Sequence, residues 1–213
     1  MNKLIFLIPI VLGIAAIVSL SLTLTSEDTE LQSKLVYEND FAFYDVDKIK
    51  TKLAAVGIKM TSPVAITDNT IGQYCTYFDD DIQKFIKYCT TTALLDSDGN
   101  TFGNINLGGT IDGGPIMALA IVDSTPFLDS NEETVDSVFQ TMIETLVCDC
   151  WQERQPGGFA SVQAWINAAE KQFAESDQNI PLKSTIDGLD SKQIILEIAS
   201  KDGSYLWSLI VLK

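Results

Sequence analysis

The 213-residue chain contains no histidine and only one arginine, Arg154. Without imidazole, no side chain has an ordinary pKa near neutrality. The Ser-His-Asp and Cys-His catalytic sets are excluded, as are most catalytic zinc and copper ligand sets. Carboxylate, lysine or cysteine chemistry is what remains open. Positive charge is scarce too: 14 Lys and Arg stand against 29 Asp and Glu, a formal net charge of −15. Such a surface repels phosphate backbones, which argues against nucleic acid as a partner, and it repels anionic membrane faces. Solubility, cation attraction or a basic partner fits this acidity better.

One stretch lacks charge altogether. Residues 4–24, LIFLIPIVLGIAAIVSLSLTL, carry no ionisable side chain. As a helix rising ~1.5 Å per residue the run would reach roughly 31 Å, enough for a bilayer's hydrocarbon core. Only Lys3 and the α-amino group precede it, whereas Glu27, Asp28 and Glu30 follow. Positive flanks stay in the cytoplasm, so residues 1–25 are expected to form a single-pass signal anchor with the C-terminal domain outside. The alternative is a secretory signal cleaved near Ser19-Leu20-Ser21, which would release the domain. A span with no charged position favours anchoring, or packing beside another membrane subunit, over transport.

Cysteine is sparse but even in number: Cys75, Cys89, Cys148 and Cys150. In an exported chain this predicts two disulfides. If Cys148 and Cys150 end a helix, they point about 200° apart around it and cannot pair. That favours joining each to Cys75 or Cys89. The other arrangement, Cys75–Cys89 with a local Cys148–Cys150 ring, would be more easily reduced and suited to redox work. A four-thiolate zinc site lacks its usual C-x₂₋₄-C spacing.

Residues 26–43 read as a juxtamembrane stalk and 44–213 as one extracytoplasmic domain. A helix is predicted over 45–56, capped by Asp45, with Val46, Ile49, Leu53 and Val56 on one face and Gly57 as its stop. Strand-like segments follow at 58–66 and 71–78, then a short helix or irregular strand leading into β structure through Leu95. DSDGN at 96–100 signals a hairpin returning along 101–107; Gly108-Gly109 and Gly113-Gly114 bracket an expected flexible loop; PIMALAIVD at 115–123 suits a buried central strand.

Two amphipathic helices come next. The first opens on the capping box Ser130/Glu133, buries Val135, Val138, Phe139, Met142, Ile143 and Leu146, and is expected to reach about Cys150 before QPGG at 155–158 stops it. The second carries the stripe Val162, Trp165, Ile166, Ala169 and Phe173. Strands are expected at 182–187, 192–199 and 205–212, the last two as a hairpin. Strands, then helices, then strands, without βα alternation, predict an α+β domain. Its antiparallel sheet of about six to seven strands would carry two to three packed helices, behind one N-terminal transmembrane helix.

Most candidate motifs have a plain explanation. Asp96, Asp98 and Asn100 imitate the start of a calcium loop, but Thr101 stands where its glycine belongs and Leu107 where its glutamate belongs. Asp79-Asp80-Asp81 offers hard oxygen ligands for weak Ca²⁺ binding, though acids in a loop or at a helix start are commoner. LGGTIDGGP lacks the GK[ST] ending of a phosphate loop. CDCWQER at 148–154 is the most unusual cluster, uniting two sulfurs, a tryptophan and the only arginine. Glu144, Asp149 and Glu153, and likewise Asp112 and Asp123, are carboxylate groupings, but no separation across a cleft follows from sequence.

No catalytic, cofactor-binding or metal residue is assigned. The expected role is a membrane-anchored extracytoplasmic binding or accessory module without catalytic activity, meeting an envelope or membrane protein partner. The alternatives are a thiol–disulfide oxidoreductase using Cys148 and Cys150, and a carboxylate-based hydrolase.

Overall fold

A computed structural model of the chain describes residues 40–213 apart from 68–69, 77–82, 125–131 and 202–203. The anchor, residues 26–39 of the stalk, Asp79–Asp81 and Ser130 lie outside the described residues, while Phe41, near the expected end of the stalk, is buried in the core of the domain. From Phe41 onward the chain forms one unit. Among the described residues no helix is long and apolar enough to cross a membrane.

The architecture is an eight-stranded antiparallel sheet with helices packed on it, an α+β arrangement. Two three-stranded meanders build most of the sheet. The first is β3 (Tyr88–Leu95), β4 (Thr101–Thr110) and β5 (Gly114–Ser124); the second is β6 (Leu182–Leu189), β7 (Lys192–Lys201) and β8 (Ser204–Leu212). They join where β5 pairs with β8, from Met117↔Leu212 to Ser124↔Tyr205. β1 (Lys59–Met60) and β2 (Val64–Thr67) share the far side of β3, pairing with its two ends. Between them the Thr61 N–H donates to Ala93 O, and the Ala93 N–H donates to Thr61 Oγ1, both at 3.0 Å. A hydroxyl thus completes the ladder where Pro63, with no N–H to give, interrupts the strand.

Alternation sorts the side chains onto two faces. One cross-strand row runs Thr92, Ile105, Ala120, Leu209, Leu196, Ser184 on the inner face. The neighbouring outer row runs Thr91, Asn106, Leu119, Ile210, Ile195, Thr185. The inner face holds the main core, beneath α1 (Asp45–Ala55), α3 (Glu132–Leu146) and α5 (Val162–Ala174). Ala118 and Ala120 on β5 leave room there for Phe139 and Met142 of α3, all fully buried. Val162, Trp165, Ile166, Ala169 and Phe173 are buried along α5, as their spacing predicts. Each of the three indole N–H groups reaches an acceptor: Trp151 to Phe159 O at 3.1 Å, Trp165 to Ser184 Oγ at 2.8 Å and Trp207 to Ser124 Oγ at 3.1 Å. Burying a tryptophan without such a partner would cost the desolvation of its donor.

Several expectations are corrected. Asp45 does not cap α1; Tyr44 holds that position, while Asp45 accepts from the Ala42 N–H at 2.7 Å and pairs with Lys48 at 2.7 Å. Val56 lies past the end of α1 and is exposed, and Gly57 follows with φ 85° as the stop. Within the segment expected as strand at 71–78, Ile71–Tyr74 forms a short helix, α2. Gly108 and Gly109 are not in a flexible loop. They continue β4 across a bulge, and a Cβ on Gly109 would collide with Gly114 O of the neighbouring strand. α3 stops at Leu146, short of the cysteines, and Trp151–Arg154 forms its own short helix, α4.

The β6–β7 connection is a two-residue loop, Asp190–Ser191, with φ 50° and 62°. Left-handed conformation at both central positions matches the twist of the flanking strands, but it strains a residue bearing a Cβ. Ser191→Gly is therefore expected to stabilise the domain by about 0.5–1 kcal/mol, read as a higher urea midpoint with unchanged slope.

Candidate functional site

The four cysteines form two disulfides that tie local segments, not the cross-links expected between the two halves of the domain. Cys75 bonds to Cys89 with Cα atoms 6.3 Å apart, and Cys148 bonds to Cys150 with Cα atoms 5.2 Å apart. The correction has two physical causes. The Val147 and Cys148 N–H groups both donate to Ile143 O, at 2.9 and 3.1 Å, so the chain has left helical geometry before Cys148. The angular separation of a helix then no longer keeps the two sulfurs apart. Moreover, Cys75 and Cys89 belong to the cluster on the outer face of the sheet, whereas Cys148 and Cys150 rest against the helical side. A bond between the pairs would have to pass through the sheet.

Cys75–Cys89 is wholly buried among Ile66, Ile71, Ile86 and Met117. Gly108 of β4 makes room for it: a Cβ there would stand 3.4 Å from Cys75 Sγ and 3.1 Å from Ile86 Cγ2. Cys148–Cys150 is different. Both residues are half-buried, and Asp149 between them is exposed. Cys148 lines a cleft of about 410 Å³ with Glu144, Asp149, Trp151, Glu153 and Ser161 among its walls. The carboxylates Glu144, Asp149 and Glu153, neighbours in sequence, thus meet at one place, whereas Asp112 occupies a turn and Asp123 stands on β5. Glu144 is engaged, accepting from Gln140 Nε2 at 2.7 Å and Lys52 Nζ at 3.3 Å. Among the described residues no three His, Cys, Asp or Glu side chains are grouped to hold a metal ion. Asp96 is occupied as a turn residue, accepting from the backbone N–H groups of Asp98 and Asn100 and from Asn100 Nδ2. These bonds to the charged form hold its carboxyl below the usual range, the Asn100 side chain contributing most.

Sequence reasoning missed the outer face of the sheet as a surface. At the end built by β2, β3, β4, β5 and β8 it forms a shallow groove of about 530 Å³. Its floor is apolar, with Val64, Ala93, Ile121 and Leu206, and its rim carries Thr61, Asn104 and Asp123. Gly103 lets β4 lie close against β5 here, since a Cβ there would strike Ile121 O. A signal did exist: the alternate residues Leu119 and Ile121 on β5, together with Leu206 and Ile210 on β8, give the sheet a second apolar face. Beside the groove, Asn104 Nδ2 donates to Asn106 Oδ1 at 3.1 Å, and the Asn106 amide nitrogen finds no acceptor among the described residues. On the same face Glu197 is half-buried opposite Ser208 and Lys183; burial raises its pKa, partly offset by the Lys183 charge.

No protein-family model matches the chain, and comparison with curated proteins and with solved structures finds no match.

Two measurements test these assignments. Because the pKa of Glu197 is raised in the folded state, its stabilising effect is full below the ordinary value of 4.5 and fades as pH climbs through the raised one. Glu197→Gln should then increase the thermal midpoint at pH 7 but not at pH 4. Removing Cys75–Cys89 by a double alanine substitution should cost about 3 kcal/mol by the loop-closure rule, more than removing Cys148–Cys150, whose residues are only two apart. Urea titrations of the two double variants read that order directly.

Proposed function

We propose that the chain is a membrane-held, extracytoplasmic binding or accessory module without catalytic activity, and that the groove on the outer sheet face is its contact surface. The observation that carries this reading is an apolar floor formed by Val64, Ile121 and Leu206, open to solvent on a protein of net charge −15. Val64 is 59% exposed, and together with Ile121 and Leu206 it forms a contiguous apolar patch, the kind of surface that marks an interaction site. The occupant that fits is an envelope or membrane protein presenting an apolar segment flanked by lysine or arginine. Apolar contact supplies affinity, while opposite charge steers encounter. Both disulfides support an oxidising compartment, where such bonds persist. The uncharged run at residues 4–24 supplies the anchor, with the acidic segment after it facing outward.

Membranes solubilised in mild detergent should yield the full chain with a basic partner. Val64→Glu and Leu206→Glu are each expected to reduce its recovery about tenfold while leaving the thermal midpoint intact. Raising salt should weaken the complex further, because the charge term is screened. Equal recovery by wild type and both variants would reject the groove. Protease added to intact cells should remove residues 44–213; their full protection would reject the outward orientation.

A further inference from the structure

We propose that the Cys148–Cys150 disulfide exchanges with the dithiol of a partner protein whose cysteines are flanked by basic residues. The inference stands apart from the groove reading, since it concerns the opposite side of the sheet. Four observations converge on it. The bond spans residues only two apart, so it gains little from loop closure and opening it releases little chain. It is half-buried, and Cys148 lines a cleft wide enough for a peptide side chain. The other disulfide, by contrast, is fully buried and shielded from a thiolate. Exposed disulfides are the ones with higher, more labile potentials.

The turn that carries the two sulfurs is also held independently of the bond between them. On one side Val147 is buried and its N–H donates to Ile143 O at 2.9 Å. On the other, Trp151 is buried, its indole bonds to Phe159 O at 3.1 Å, and its ring packs on Trp165 at 5.7 Å between centroids. The Arg154 N–H closes α4 onto Cys150 O at 3.0 Å. Reduction therefore leaves both thiols side by side on a pinned turn, ready to close again. The cleft's carboxylates set the preference: Asp149 and Glu153 are exposed beside the sulfur, so a thiolate arriving with lysine or arginine neighbours is drawn in and an acidic one is repelled.

The step balances as ordinary exchange. A partner thiolate attacks Cys148 Sγ, the Cys148–Cys150 bond breaks, and Cys150 leaves as a thiolate that takes a proton from water. The partner's second thiolate then attacks its own sulfur in the mixed disulfide, and Cys148 leaves and is protonated. Two electrons pass from the partner, which is oxidised to a disulfide, to Cys148 and Cys150, which end as thiols.

The test uses the full chain in mild detergent with two reduced synthetic dithiol peptides, one lysine-flanked and one glutamate-flanked. Free thiols are trapped by alkylation and mapped by mass spectrometry. Cys148 and Cys150 are expected to become alkylated while Cys75–Cys89 stays closed and the far-UV circular dichroism is unchanged, with one peptide disulfide formed per protein. The lysine-flanked peptide should react about tenfold faster at low salt, an advantage that shrinks as salt rises. Cys150→Ser should accumulate a mixed disulfide on Cys148 with the oxidised peptide, and the Cys148→Ser/Cys150→Ser double variant should oxidise none. The proposal is overturned if Cys148–Cys150 stays closed in the folded protein, if both disulfides open together with loss of structure, or if the two peptides react at equal rates.

Discussion

The pairing of β5 with β8 is the contact on which the rest of the domain depends. Each meander alone is a three-stranded sheet with two open sides. Their joining, from Met117↔Leu212 to Ser124↔Tyr205, turns β5 and β8 from edge strands into the interior of a single sheet. β5 then lies between β4 and β8: Ala118, Ala120 and Val122 meet the helices, while on the other side Met117 and Leu119 are buried and Ile121 borders the groove. This explains why PIMALAIVD is apolar almost throughout and shows no alternation of polar and apolar residues. The helical layer is linked to the same seam, because α3 rests on β5 and β8.

Where a segment's own pattern decides its structure, the sequence was enough. The stripe from Val162 to Phe173 needs only helical periodicity, and the turn at Asp96–Asn100 only local hydrogen bonds. Elsewhere the deciding partner is distant. Ile71–Tyr74 has strand-like composition but coils into a single turn beside β3, where Cys75 must meet Cys89. Gly108 and Gly109 look like loop residues until the disulfide and the adjacent strand are placed against them. Asp190–Ser191 lacks the glycine that usually marks such a hairpin, and only the register of β6 on β7 reveals the turn.

The candidate site was legible in its atoms and not in its connections. CDCWQER could be picked out by composition alone, and the nearness of Glu144, Asp149 and Glu153 in sequence carried over into space. Which sulfurs bond was beyond reach, because the answer turned on a helix ending at Leu146 rather than a turn later. The apolar groove was harder still. Val64, Ala93, Ile121 and Leu206 come from four strands, and nothing but the sheet order makes them neighbours.

The spans of the two disulfides bear on how such a chain matures. With separations of 14 and 2 residues, each bond can close as soon as its own short stretch meets an oxidant. The seam between the meanders, by comparison, must await the last strand, β8, some 90 positions after β5, and distant pairings of this kind are slow to form. Oxidation is thus uncoupled from global topology. The polypeptide does not have to choose a distant sulfur while still unfolded, and scrambled covalent isomers have little opportunity to compete during folding.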